Sequence, residues 1–227
     1  MTRVKLKKKA KKDLAGKWGT SVLTVLVYAI IVVAISGLVY WISQAAGLSK
    51  DATELLNSIV GILIDGTIAV GLVGYFMNIA RGKDAKVNDL FSYTNLIGVV
   101  ILTVILVAIF TTLWTLLLIV PGIIAAISYS QVMYIIIDDP KIDAMAAIKE
   151  SKEIMNGHKM DYFVLQLSFI GWAILATITF GIGYLWLTPY MATTNANFYD
   201  SIKNKLKVWF EELINWLVLF VWFYTII

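Results

Sequence analysis

Between Leu96 and Ile137 the chain runs 42 residues without a charged side chain. No soluble core helix needs a run of that length, whereas a hydrocarbon layer about 30 Å thick is crossed by about 20 apolar residues rising about 1.5 Å each. The run is therefore long enough for two crossings. It is interrupted at Pro121-Gly122, where proline can end the incoming helix and open the next. Thr20 to Ser43 is also free of charge, and Ser58 to Ala80 carries one acid, Asp65. Tyr162 to Tyr199 is uncharged and divided at Gly181-Ile182-Gly183. The pattern predicts an all-α, polytopic membrane helical bundle of six transmembrane helices, over about 20–43, 58–80, 96–120, 122–137, 162–180 and 184–199. Composition agrees: 59% hydrophobic, 15% charged and a mean hydropathy of +0.80, against about half and a quarter in soluble domains. A signal-peptide reading of the basic start fails on length, since the apolar part of such a peptide runs about 7–15 residues.

Charge placement tests the count independently. Of the 19 Lys and Arg residues, eight precede the first run. Arg81, Lys83 and Lys86 follow the second, Lys141, Lys149, Lys152 and Lys159 lie between the fourth and fifth, and Lys203, Lys205 and Lys207 follow the sixth. Lys50 alone falls on the other side. A miscounted span would scatter these cations, so the positive-inside rule puts the N-terminus inside. The expected location is the bacterial cytoplasmic membrane, multi-pass.

Outside the spans, residues 1–19 read as a basic interfacial segment. Lys7, Lys8, Lys9, Lys11 and Lys12 are expected on anionic lipid headgroups, each contributing about 1 kcal/mol near the surface, with Trp18 dipping into the interface. Attachment to a span argues against the rival nucleic-acid reading of such a run. Residues 140–156 read as an amphipathic helix on the inner leaflet, capped by Asp139, opened by Pro140 and ended by Gly157. Its apolar face would hold Ala144, Met145, Ile148, Ser151 and Met155; docking of a partner is the alternative. Leu90, Phe91 and Tyr93 would reach the same leaflet. Residues 201–227 form a basic linker and an aromatic-rich tail. The tail reads as an interfacial or partly inserted helix, with a seventh span as the alternative.

These blocks resemble the DUF975 family of integral membrane proteins, found mainly in Gram-positive bacteria. The resemblance covers about residues 8–201, through AKKDLAGKWG, VNDLFSY, VPGIIAAISYSQVMYIIIDDP, DAMAAIKESKEIMNGHK and GIGYLWLTPYMATTNANFYDSI. The Pro-Gly turn and the AIKES helix are also distantly similar to the membrane domain of some glycerophosphodiester phosphodiesterases, whose catalytic barrel is missing. The family carries no assigned function. Asp65 and the aromatic tail depart from its pattern.

Chemistry is scarce. With no cysteine and one histidine, His158, thiolate catalysis, disulfides and the usual metal and cluster sites are excluded, and no cofactor is expected. Asp65 is an intramembrane acid, which costs at least about 2.5 kcal/mol when charged at the bilayer centre. It joins Gln131, Asn195 and Asn197 as a candidate intramembrane polar site. Proton or solute handling is one reading of that set; hydrogen-bonded helix packing is the other. No nucleophile, base and oxyanion donor assemble. The expectation is a non-enzymatic membrane protein with an accessory, envelope-stress or peptide-protection role, in contact with anionic lipid and with a membrane-protein partner or a second copy. The alternative is a small-solute or lipid transporter using Asp65 and the polar groups of span six.

Overall fold

A computed structural model describes residues 2–204, apart from the side chains of residues 64, 65 and 67. The tail expected over 205–227, with Lys205 and Lys207, lies outside the described residues. The described chain is helical without a strand. In order come α1 (Arg3–Asp13), α2 (Trp18–Ala45), α3 (Lys50–Ala80), two 3₁₀ turns (Val87–Phe91 and Thr94–Leu96), α4 (Ile97–Leu117) and α5 (Ile119–Tyr129). α6 (Val132–Asp138), α7 (Ala144–Ile154), α8 (Lys159–Leu167), α9 (Ile170–Ile178) and α10 (184–204) follow. Five stretches are long and apolar enough to cross a membrane: Trp18–Ala45, Lys50–Ala80, Val87–Leu117, Ile119–Asp138 and Lys159–Ile178. The sixth expected span lies within α10.

Several hydroxyls inside these helices close on their own backbone, as an environment without water favours. Thr24 donates to the Thr20 carbonyl, Ser43 to Val39, Thr115 to Thr111 and Thr194 to Tyr190, all at 2.6–2.9 Å. α3 begins at Lys50, eight residues before the expected start, because Ser49 caps it by accepting from the Ala52 N–H.

α4 and α5 form an antiparallel hairpin, in which the rings of Phe110 and Tyr129 meet. Its corner is not Pro121-Gly122. Leu118, extended at φ −161°, makes the break, and Pro121 is already in the first turn of α5. A proline there removes an N–H that would have lacked a partner anyway. Gly122 is needed because a Cβ would overlap Thr115.

The helix expected over 140–156 starts instead at Ala144, capped by Asp143, whose side chain accepts from the Ala146 N–H at 2.9 Å. Asp139 closes a small turn on the Lys141 N–H. The buried face is Ala144, Ala147, Ile148, Ser151 and Ile154, followed by buried Met155, while Met145 is 53% exposed. That face packs on α4, α5 and α6, so α7 docks on the bundle and its apolar stripe does not lie on lipid. The hydroxyl of Ser151 supplies the reason. It donates to the Ser128 carbonyl (2.8 Å) and accepts from the Gln131 N–H (3.2 Å), repairing the backbone where α5 breaks into α6.

Leu90 is buried against α3 at Gly71, and Tyr93 lies against Gly74; a Cβ at either glycine would overlap them. Both residues therefore serve the protein interior, while Phe91 remains exposed. The main core joins Val70, Met77, Val100, Ile136, Phe169 and Tyr199, and a smaller one joins Leu14, Val25, Tyr75, Phe76 and Ile79. Both cores lie toward the end of the bundle that carries α1 and the cations.

Candidate functional site

The first charge after α3 is Arg81, the last residue of α6 is Asp138, and α10 carries Asp200 and Lys203. Each borders a long uncharged run, and the fold brings all four together. The guanidinium NH1 and NH2 of Arg81 donate to Asp138 Oδ1 (2.7 Å) and Oδ2 (3.1 Å). Its Nε and NH2 donate to Asp200 at 3.2 and 2.7 Å. Both edges of the fork are thus bidentate, the geometry that suits arginine and no other cation. Asp138 Oδ2 also accepts from Lys203 Nζ (2.7 Å) and from the Tyr199 hydroxyl (3.0 Å), whose ring stacks on Tyr134 at 5.2 Å. Two cations and two carboxylates leave the cluster neutral. Burial works against the charge on Arg81, but the hydrogen bonds it donates to Asp200 and then Asp138 hold its pKa above the ordinary value.

A second polar cluster fastens α1. Lys9 Nζ donates to Asp13 Oδ2 (2.9 Å), to the Ala80 carbonyl at the end of α3 (2.9 Å) and to Asn197 Oδ1 on α10. Its three N–H donors are all used. Asn197 Nδ2 returns a bond to Asp13 Oδ2 (2.8 Å). Two residues earlier, Lys7 Nζ donates to the Ser168 carbonyl (2.8 Å), freed by the break between α8 and α9, and sits 3.9 Å from the centre of the Phe169 ring. Burial, then Arg3 and Lys11, lower the Lys7 pKa from its ordinary value. The lysines expected on headgroups therefore divide. Lys7 and Lys9 turn into the protein; Lys5, Lys8, Lys11 and Lys12 are exposed along α1. Trp18 lines a cavity between α9 and α10.

The other candidate residues do not converge. Asp65 lies on α3 fifteen residues before Ala80, about 22 Å along the axis, whereas Asn197 is level with Ala80 through Lys9. Asn195 accepts from Gln166 Nε2 at 2.8 Å, tying α8 to α10. Gln131 is buried at the α5–α6 break, donating to Ser130 Oγ (2.7 Å), with Oε1 unpaired. Among the described residues no group of His, Asp and Glu side chains is arranged to hold a metal. Sequence reasoning passed over Arg81, Asp138, Asp200 and Lys203. Their signal was charge at the edge of the uncharged runs, which Arg81, Asp138 and Asp200 border directly.

The model of the family described as "Protein of unknown function (DUF975)" matches residues 1–128 and 116–206. Comparison with curated proteins and with solved structures gives no match. Two matches that together span α1 to the end of α10 include both polar clusters and all five long apolar stretches. The chain belongs to the DUF975 family.

Proposed function

We propose that the protein is a non-enzymatic, multi-pass component of the bacterial cytoplasmic membrane, N-terminus inside, that holds a fixed cationic belt against anionic lipid. Its role is accessory: steadying the membrane under envelope stress, with protection against a membrane-active peptide as the concrete form. The Gram-positive setting and the distant likeness to the phosphodiesterase membrane domain belong to this reading. One observation carries it. Lys9, fully bonded, pins α1 to α3 and α10, so the exposed Lys5, Lys8, Lys11 and Lys12 are presented at a fixed height and not on a loose tail. Each such cation is attracted by about 1 kcal/mol to an anionic surface.

The test is reconstitution in phosphatidylcholine vesicles with and without phosphatidylglycerol. Melting temperature is expected to rise with the anionic fraction, and the gain to shrink in a Lys5→Gln, Lys8→Gln, Lys12→Gln variant. Equal melting in both lipids counts against the reading. Cells lacking the protein should also be more sensitive to a cationic membrane-active peptide.

The transporter reading rests on the buried, unpaired Gln131 Oε1 and Thr193 Oγ1. It predicts a proton- or ion-coupled flux in proteoliposomes that Asp65→Asn abolishes. Against it, Asn195 and Asn197 are already occupied as ties between helices.

A further inference from the structure

The α9–α10 turn is built unlike the α2–α3 turn. Every backbone N–H from Thr179 to Leu187 finds an acceptor within residues 175–183, that of Gly183 using the Thr179 hydroxyl at 2.9 Å. The side chains of this tip are bare and apolar: Phe180 is 99% exposed, Ile178 68% and Ile182 62%. The α2–α3 turn instead leaves the N–H groups of Ser49, Lys50 and Asp51 without an acceptor among the described residues, beside three charged side chains. Backbone in hydrocarbon must satisfy itself, while backbone at a water surface need not. The α9–α10 tip meets the stricter condition and its side chains are apolar, the two properties that a tip in hydrocarbon, with the space beneath it open to lipid, requires.

That space is a cavity of about 380 Å³, within the range that takes a small ligand, between α9, α10 and the start of α2. Trp18, Trp172, Leu175, Trp186 and Leu187 wall it, and among the described residues Lys11 is the one charged side chain lining it. The Lys11 ammonium sits 5.4 Å from the centre of the Tyr190 ring, and no carboxylate of the described residues lines the cavity. An apolar channel open to lipid with one unneutralised cation at its basic end is complementary to one kind of molecule. We propose that this cavity is a site for an anionic phospholipid, with an acyl chain between Trp172 and Trp186 and the phosphate on Lys11 Nζ. The proposal rests on the lipid-facing reading above and deepens it, from a surface attraction to one bound molecule.

The experiment uses the full chain in a nonionic detergent, with bound lipid counted by native mass spectrometry. Dioleoyl phosphatidylglycerol is expected to be retained at one molecule per chain and dioleoyl phosphatidylcholine to wash out. Lys11→Gln should weaken retention about fivefold or more, Lys11→Arg should keep it, and Lys149→Gln, exposed on α7 and outside both the belt and the cavity, should leave it unchanged. A single-chain lysophosphatidylglycerol should compete and glycerol phosphate should not; competition by glycerol phosphate would make this a free-phosphate site and overturn the proposal. Equal retention of the two phospholipids, or equal loss in Lys11→Gln and Lys149→Gln, would also overturn it. If those two variants lose equally while melting still follows the anionic fraction, the belt reading survives and the site fails. If melting ignores lipid charge but Lys11 still selects phosphatidylglycerol, the reverse holds.

Discussion

Arg81 shows how much one side chain is asked to do. It lies just past the end of α3, and its two bidentate pairs reach α6 and α10, so removing it unties three elements, takes the cation from Asp200 and leaves Asp138 to Lys203 and Tyr199. Exposed pairs contribute up to about 1 kcal/mol, and breaking a buried pair costs about 3–5. With the Arg81 side chain 26% exposed, Arg81→Met is expected to cost about 2 kcal/mol in thermal unfolding. Arg81→Lys should recover less than half of that, because an ammonium cannot bridge both carboxylates as a fork; full recovery would mean that charge alone matters. Ser151 works by hydrogen bonding alone. Ser151→Ala leaves a buried carbonyl and N–H unpaired at the α5–α6 break and should cost about 1–3 kcal/mol. A neutral result would show that the break is repaired in another way.

At the scale of elements, close approach is bought with glycine. The segment 87–96 can lie along α3 because Gly71 and Gly74 have no Cβ to strike Leu90 and Tyr93. Gly71→Ala meets the Leu90 backbone, which cannot rotate aside, and should destabilise by about 1–3 kcal/mol as overpacking does. Gly61 on the same helix has open space around it, so Gly61→Ala should be neutral or slightly stabilising; equal effects at the two positions would count against the packing account. α7 offers the same contrast without glycine. Ile148→Asp should unfold or undock the helix, whereas Met145→Asp, on the exposed side, should be tolerated. Helical periodicity alone put these two residues on one face. The choice between them belongs to the surface α7 meets.

For the whole molecule the question is which parts reach water. The chain has no cysteine, so single cysteines can be introduced and treated with a membrane-impermeant maleimide, which needs an ionised thiol. Positions 50 and 54 are expected to react from one side of the membrane and positions 83 and 149 from the other. Position 180, in the apolar α9–α10 tip, should react from neither; reaction there as fast as at 54 would put that tip in water. Positions 83 and 149 reacting from the same side as 54 would overturn the orientation.

The helical class, the membrane solvent and the placing of long apolar stretches were legible in the sequence. They depend on runs of residues that lack charge, and a missing charge means the same thing in any tertiary context. The polar clusters were not legible. Nothing in the spacing of Arg81, Asp138, Asp200 and Lys203 along the chain says that three helix ends meet, and the two acids could as well have been solvated. The docking of α7 and the inward turn of Lys7 and Lys9 went the same way, each decided by a partner distant in sequence: the α5–α6 break under Ser151, and Ala80, Ser168 and Asn197 around the lysines. Sequence alone could say that this chain belongs in a bilayer, because solvent preference adds up residue by residue. Only the tertiary structure decided which of its many cations stay exposed and which hold the protein together, because a hydrogen bond depends on where its acceptor lies.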